Sequence, residues 1–177
     1  MPLPPGETAA REFGGYAKGD TLNYIGEYVF ARLSFHDTKL IHAFHMQFVW
    51  DHEASGLLVS EAARDNKVPP QFGMVYIPRA SMHIFVLSNE NGWLKQVILS
   101  QFDVYKRMKC IMLTMGHAFG NLYTPVAMPV IMNKYDAIKN DMIGKIEPGS
   151  RMHEEYNQDL QAVENSQYAK WIRMTHT

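Results

Sequence analysis

Apolar and polar residues alternate in short runs through the middle of this chain, a pattern typical of half-buried β-strands. In the clearest run, IHAFHMQFVW, one phase holds His42, Phe44, Met46, Phe48 and Trp50. Eight such runs occur: LNYIGEYVFARLSF, KLIHAFHMQFVWD, GLLVSEAAR, GMVYIPR, SMHIFVLSN, GWLKQVILSQF, MKCIMLTMG and YTPVAMPVIMNK. Turn-forming residues separate them at a spacing of about ten residues. The sequence therefore predicts an all-β fold, an antiparallel barrel or sandwich of about eight strands.

The last two predicted strands lie in a stretch, residues 110–133, that contains no Asp, Glu, Lys or Arg. A single helix of this length would be long enough to span a bilayer. The turn-forming sequence GHAFGN interrupts the stretch at its midpoint, so we interpret it as two buried strands joined by a turn. Pro125 and Pro129 cannot donate to a β-ladder, which favours an edge position for the last strand.

One α-helix is predicted near the C-terminus. Ser150 is a suitable N-cap, Glu154 and Glu155 fall in the first turn, and Lys170 and Arg173 lie near the end. An apolar stripe at three- and four-residue spacing contains Met152, Tyr156, Leu160 and Val163. Two interpretations remain open: the helix lies on the barrel, or it joins two subunits.

The chain of 177 residues is long enough for one domain with a substantial core. Residues 1–20 contain four glycines and three prolines and no sustained apolar period, which indicates a flexible arm or linker. Residues 21–136 are predicted to form the antiparallel β-domain. Residues 137–177 are expected to form a linker and the C-terminal helix.

Charge and cysteine content exclude some classes of protein. The 17 Lys and Arg residues against 18 Asp and Glu give a formal charge of −1, so no basic surface for nucleic acid or anionic membrane is expected. Cys110 is the single cysteine, which excludes an intramolecular disulfide and suits a reducing compartment. The N-terminal residues lack the apolar region of a signal peptide. We therefore expect a cytoplasmic protein without a membrane partner.

The residues give little support for catalysis or metal binding. Of the eight histidines, His42 and His45 project from opposite faces of a strand and cannot share one ion without a bulge. Cys110 lies in an apolar run, where a structural thiol is the default. The glycine-rich GGYAKGD follows no predicted strand and lacks the Lys-Ser or Lys-Thr pair of a phosphate loop. No catalytic residue, metal site or cofactor is predicted.

A ligand cavity is the chemistry that this pattern supports best. An eight-stranded barrel is wide enough either to be filled by side chains or to hold one small ligand. The predicted ligand-binding residues are His42, Phe44, Met46, Phe48, Trp50, Tyr76, His83 and Phe85. His42 would be the polar anchor of this otherwise apolar wall. The alternative is that all of these residues form a filled core.

Several phrases together resemble a family: REFGGY, YIGEYVFARLSF, IHAFHMQFVWDHEAS, IPRASMHIFVLSNENG and LYTPVAMPVI. Over roughly residues 11–135 the chain resembles the region that follows the DNA-binding helices in rhizobial-type bacterial helix-turn-helix regulators. The resemblance implies a regulatory or ligand-sensing β-domain of a transcription factor. This chain has no helix-turn-helix, so it is expected to be a fragment of a longer regulator or a stand-alone relative. The resemblance assigns no catalytic residue.

Together these observations predict an effector-sensing or dimerisation module of a bacterial transcription regulator, which binds a small apolar ligand in a barrel cavity. The expected partners are a small-molecule effector and a second copy in a homodimer. DNA would be bound only through a helix-turn-helix that this chain lacks. The alternative is a small β-barrel enzyme or metal-dependent protein that uses His42 and His83.

Overall fold

Eight antiparallel strands form a closed barrel in which neighbours along the chain are neighbours in the sheet. The computed structural model describes residues 6–62, 70–78, 83–90, 93–117, 123–166 and Tyr168. The strands are β1 (Gly26–Leu33), β2 (Ile41–Asp51), β3 (Gly56–Glu61), β4 (Gln71–Tyr76), β5 (Ile84–Glu90), β6 (Trp93–Leu99), β7 (Arg107–His117) and β8 (Tyr123–Tyr135). β1 pairs with both β2 and β8, which closes the sheet. The predicted all-β fold is confirmed, as a barrel rather than a sandwich.

The eight predicted strands are all present, and the uncharged stretch forms most of β7 and β8. Within the described residues, no helix is both long and apolar enough to cross a membrane. A further short strand, β9 (Gly144–Ile146), was not predicted; it pairs with the first residues of β2, Ile41 to Ala43.

The prolines of β8 fall where that strand has one neighbour only. β8 pairs with β7 from end to end, but it pairs with β1 only from Ile131 to Tyr135. Pro125 and Pro129 lie outside the β1 ladder, where their missing N–H groups have least effect. The edge prediction is therefore right for the first part of β8 and wrong for its last residues.

The middle of the barrel is filled with side chains. Phe44, Met46 and Phe48 project inward from β2, as their alternation predicts, and all three are buried. Fully buried residues from the other strands surround them: Tyr28, Phe30, Leu57, Val75, Val86, Val97, Leu99, Met108, Cys110, Met112, Val130 and Met132. A side chain beside a water-sized cavity would expose surface to it, so these values describe a close-packed core.

The C-terminal helix, α1 (Arg151–Asn165), lies on the outside of its own barrel. Its N-cap is as predicted, because the Ser150 side chain accepts a hydrogen bond from the His153 backbone N–H at 3.2 Å. Tyr156, Leu160 and Val163 are buried in a second apolar cluster, with Val29, Ala31, Ile41, Ala43, Ile131, Met142 and Ile146. The interpretation that the helix lies on the barrel is confirmed. Lys170 and Arg173, expected near its end, lie outside the described residues.

A polar contact fixes α1 against β7 and β8. The carboxylate of Asp159 accepts hydrogen bonds from Arg107 Nη1 at 2.6 Å and from Asn133 Nδ2 at 3.0 Å. Arg107 also donates to Asp103 at 3.1 Å. These bonds orient the helix, whereas the apolar stripe supplies its burial.

The segment before β1 covers one end of the barrel, which we call the closed end. The buried Tyr16 hydroxyl donates to the carbonyl of Val75 at 2.8 Å and accepts from the backbone N–H of Leu57 at 3.0 Å. Burial raises the pKa of Tyr16, so the phenol keeps the proton that it donates. Trp50 Nε1 donates to the Gly6 carbonyl at 2.9 Å. The segment expected to be an arm or linker therefore packs on the barrel from residue 6 onward.

Gly14 allows this segment to approach β4 closely. It has a φ of 112°, and a Cβ atom there would lie 2.2 Å from the carbonyl oxygen of Ile77. The neighbouring Phe13 carbonyl accepts a hydrogen bond from the Ile77 N–H at 3.0 Å. Only glycine combines this backbone conformation with this approach.

We predict that Phe48→Ala lowers the free energy of unfolding by about 3–5 kcal/mol, because it removes a large side chain from close packing. Chemical denaturation followed by circular dichroism measures the loss. Phe72→Ala is the control, since Phe72 is 59% exposed and its loss should change stability by less than about 0.5 kcal/mol. A loss for Phe48→Ala no larger than for the control would contradict a filled core.

Candidate functional site

The end of the barrel opposite the closed end contains polar side chains that point inward; we call it the polar end. β1, β3, β5 and β7 run toward it and β2, β4, β6 and β8 run away from it. One polar residue from each of β1 to β7 occupies a position of the inward phase there: Arg32, His42, Glu61, Gln71, Ser88, Lys95 and Thr114. We call these residues the polar layer.

Strand register brings the polar layer together. Arg32 is directly opposite His42, Glu61 is opposite Gln71, and Ser88 is opposite Lys95. Each residue extends an inward apolar phase, as Glu61 does after Leu57 and Val59. Because the barrel is closed, these positions all lie at the same end of its interior.

A buried ion pair lies at the centre of the polar layer. Lys95 Nζ donates to the carboxylate of Glu61, and their side chains are only 8% and 2% exposed. Lys95 also donates to the Gln71 side-chain oxygen at 3.2 Å. Taking both charges out of water costs several kcal/mol per ion, so such a pair is weak evidence of a role in stability. Because the pair lies inside one end of the barrel, we consider a role in ligand binding instead.

Arg32 provides a second buried cation. Its guanidinium carbon lies 4.0 Å from the ring centroid of Phe35 and 5.4 Å from that of Phe44. Arg32 also donates to the carbonyl of Leu33 at 2.8 Å. The two rings hold the guanidinium by cation–π contact at the rim of the core. Phe35 belongs to the β1–β2 loop, so the loop helps to position this cation.

A cavity of about 110 Å³ opens between these groups. Its lining consists of Arg32, Phe35, Gln71, Lys95, Met112, Thr114 and Met115. The lining thus combines polar side chains with a phenyl ring and two flexible thioethers. This combination suits a ligand that has both a polar group and a short apolar part.

Ser88 lies opposite Lys95, which lines this cavity. The Ser88 hydroxyl is buried and has no hydrogen-bond partner among the described residues. Gly73 lies opposite Ser88, and a Cβ atom at Gly73 would approach the Ser88 Cβ to 2.8 Å. A buried hydroxyl without a partner costs free energy. The polar layer therefore contains one group that is costly for folding alone.

The predicted site residues do not form one site. His42 lies in the polar layer, with its ring stacked near Phe44 at a centroid distance of 6.3 Å. Phe44, Met46 and Phe48 are core, and Trp50 lies at the closed end. Of the other three predicted residues, Tyr76 and Phe85 are on the outward phase of β4 and β5, and His83 directly precedes β5.

These three residues have contacts of their own outside the barrel. Tyr76 packs edge-on against Phe13 at 5.0 Å, and Phe85 is its partner on the next strand. His83 is exposed, with its ring 5.7 Å from that of Tyr168. The inward residues of β4 and β5 are their neighbours Val75, Ile84 and Val86. The choice of strand phase in β4 and β5 was therefore wrong.

Sequence reasoning missed Arg32, Glu61, Gln71, Ser88, Lys95 and Thr114. A signal was present: a polar residue stands on the inward phase at the end of an apolar strand, as Lys95 does before Val97 and Leu99. Charged residues are seldom buried unless they are paired or functional. Such positions can be found once the phase of a strand is known.

Other chemistry has less support. His42 and His83 lie near opposite ends of the barrel, so the pair in the enzyme or metal hypothesis is not brought together. In the described part of the chain, no three residues among His, Cys, Asp and Glu are grouped as metal ligands. Burial raises the pKa of Cys110 well above its usual value, which keeps the thiol protonated and unreactive.

We predict that Ser88→Ala leaves the free energy of unfolding unchanged or raises it by about 1 kcal/mol, because it removes an unpaired buried hydroxyl. Urea denaturation measures this difference. Ser34→Ala is the matched control: the Ser34 hydroxyl accepts from the backbone N–H of His36 at 3.3 Å, so its loss should be destabilising. A destabilisation by Ser88→Ala larger than that of Ser34→Ala would show that the Ser88 hydroxyl is bonded.

For the ion pair, we predict that Glu61→Met alone lowers stability by about 3–5 kcal/mol, since it leaves the Lys95 charge buried without its carboxylate. Glu61→Met combined with Lys95→Met should cost much less than the sum of the single changes. A double-mutant cycle in urea measures the coupling. The exposed pair Lys145 and Glu147, 2.7 Å apart, is the control and should give coupling below about 1 kcal/mol. Additive effects of Glu61 and Lys95 would contradict a coupled buried pair.

Comparison with known proteins identifies no family for this chain. The chain matches no protein-family model, no curated protein and no solved structure. The resemblance to helix-turn-helix regulators therefore stays an expectation, and function has to be inferred from the polar end of the barrel.

Proposed function

We propose that this chain is a small-molecule-binding barrel, the effector-sensing module of a regulator, and that the effector binds at the polar end. One observation carries the proposal. The middle of the barrel is a closed apolar core. At the polar end, by contrast, buried ionic and polar groups occupy inward positions around a cavity of about 110 Å³. Burying these groups is costly for folding, and ligand recognition accounts for that cost.

The effector binds at this end rather than deep in the barrel. An apolar ligand in the middle would have to displace Phe44, Met46 or Phe48 from close packing. The cavity is also well below the several hundred Å³ of sites for drug-sized ligands. The expectation of a small apolar ligand is thus revised to a small ligand with a polar group.

A sensing role requires that the site be connected to the rest of the molecule. The β1–β2 loop, residues 34–40, provides Phe35 to the cavity lining and the Lys39 carbonyl to α1. His153 on α1 lies 2.8 Å from that carbonyl oxygen through its Nε2. A ligand that displaced Phe35 would therefore move a loop that is bonded to the C-terminal helix. This connection favours an effector-binding module over a purely structural one.

Catalysis is the weaker second reading. Ser88 and Lys95 are neighbours across β5 and β6, which superficially suits a serine nucleophile with a lysine base. A base must have a lone pair available, whereas Lys95 Nζ donates to Glu61 and Gln71. The groups of the polar layer are therefore better suited to binding a ligand than to catalysis.

The test is a screen of small compounds by two-dimensional amide NMR on the wild-type chain. We expect chemical-shift changes centred on residues that line the cavity, such as Phe35, Thr114 and Met115. Thr114→Phe should abolish these changes by filling the cavity, while Thr8→Phe, at an exposed position of the segment before β1, should leave them intact. Changes centred on Trp50 and Tyr16 at the closed end, or no changes with any compound, would refute the proposal.

A further inference from the structure

We infer that the outside of the barrel, on strands β3 to β7, is the contact surface between two copies of this chain. The surface lies apart from the proposed ligand site, so the inference does not rest on that proposal. Three features of the outward side chains support it: they are mostly apolar, none of them is charged, and the polar ones can pair with their own counterparts.

A row of outward side chains crosses neighbouring strands of the barrel. Leu58, Met74 and Leu87 lie opposite one another in turn on β3, β4 and β5. Gln96 on β6 and Leu113 on β7 continue the row. A second row lies beside it toward the polar end, where Ser60 pairs with Phe72 and Asn89 pairs with Leu94. We call these nine residues the outer face.

The outer face is exposed where its side chains are large and apolar. Phe72, Leu94 and Leu113 are 59%, 50% and 42% exposed. Helix α1 packs on another side of the barrel, against outward residues such as Val29 and Ala43. The water-facing side of an antiparallel sheet normally carries polar side chains, and a continuous exposed apolar patch marks an interaction surface.

Charge indicates what kind of partner fits this surface. The outward positions of β4, β5 and β6 contain no Asp, Glu, Lys or Arg; they are Phe72, Met74, Tyr76, Phe85, Leu87, Asn89, Leu94, Gln96 and Ile98. A partner recognised by its charge would find no opposite charge here. Two copies of the same surface, in contrast, can meet without like-charge repulsion and without removing an ion from water.

The polar side chains of the outer face suit a twofold contact. In a symmetric dimer the same patch lies on both sides of the axis, so residues near the axis meet their own counterparts. The side chains of Ser60, Asn89 and Gln96 each contain a hydrogen-bond donor and an acceptor. Each of them can therefore bond to its own counterpart, which two lysines or two glutamates could not do.

The size of the surface indicates a reversible dimer. Tyr76, Phe85 and Ile98 form a third row beside the outer face. Five strands about 4.8 Å apart and three rows about 6.8 Å apart span roughly 20 by 20 Å before the relief of the side chains is counted. This approaches the lower end of the about 600–1,000 Å² per partner that specific interfaces bury. Obligate dimers bury more, so this dimer is expected to dissociate on dilution.

The experiment is sedimentation velocity of the full chain between about 1 μM and 1 mM. We expect a monomer–dimer equilibrium of the wild-type chain within this range. Leu94→Lys should weaken dimerisation at least tenfold, because it places two cations in an apolar contact. Leu22→Lys is the matched control: Leu22 is 61% exposed in the segment before β1, and its replacement should leave the dimer unchanged.

A second variant separates an interface from a structural role. Phe72→Ala should weaken dimerisation at least fivefold, because it removes a large aromatic contact. The monomer, measured at concentrations where no dimer forms, should unfold at the same urea concentration as the wild-type monomer. Val104→Ala is the control, since Val104 is 89% exposed in the β6–β7 loop and should change neither quantity.

Three results would overturn the inference. The first is a wild-type chain that stays monomeric at the highest concentration, and the second is a dimer that Leu94→Lys and Phe72→Ala leave intact. The third is a monomeric chain that binds phosphatidylcholine vesicles and loses this binding with Leu94→Lys, which would assign the outer face to a lipid surface. Ligand binding at the polar end is tested separately, because none of these variants alters a residue that lines the cavity.

Discussion

Closure of the barrel through β1 is the constraint on which the rest of the structure depends. β1 pairs with β2 on one side and with β8 on the other, so none of the eight strands is left as an open edge along its whole length. Closure turns one phase of every strand inward at the same time. Side chains such as Tyr28, Phe48 and Met108 then meet in a single core, and their outward neighbours are left for α1 or for solvent.

The same closure explains why polar residues are buried at one end. At the closed end the segment before β1 covers the core, and Tyr16 satisfies the Val75 carbonyl and the Leu57 N–H between β3 and β4. At the polar end the inward positions continue beyond the apolar core as Arg32, Glu61 and Lys95. In an open sheet these side chains would be hydrated, but in a barrel they must pair with one another. The Lys95–Glu61 bond is the consequence.

Loop 34–40 and α1 connect this end to the outside of the barrel. Phe35 contacts the Arg32 guanidinium, the Ser34 side chain accepts from His36 and Asp37 within the loop, and the Lys39 carbonyl contacts His153. α1 in turn is held by its apolar stripe and by Asp159. The stripe is occupied by the barrel of the same chain, so a homodimer would need a different surface. Loop 34–40 therefore joins the cavity lining at Phe35 to α1 at His153.

The sequence by itself determined the elements: eight strands, the helix with its Ser150 cap, and the inward phase of β2. These follow from local rules, because alternation in a strand, three- and four-residue spacing in a helix and a capping side chain involve residues close together in the chain. Only the tertiary structure decided which phase of β4 and β5 turns inward, that β9 joins β2, and that the segment from residue 6 packs on the closed end. It also decided that the barrel is filled, so that Phe44 is core while Lys95 lines the cavity at the polar end. Register and closure join strands far apart in the chain, and alternation within one strand is compatible with either face until its partners are in place.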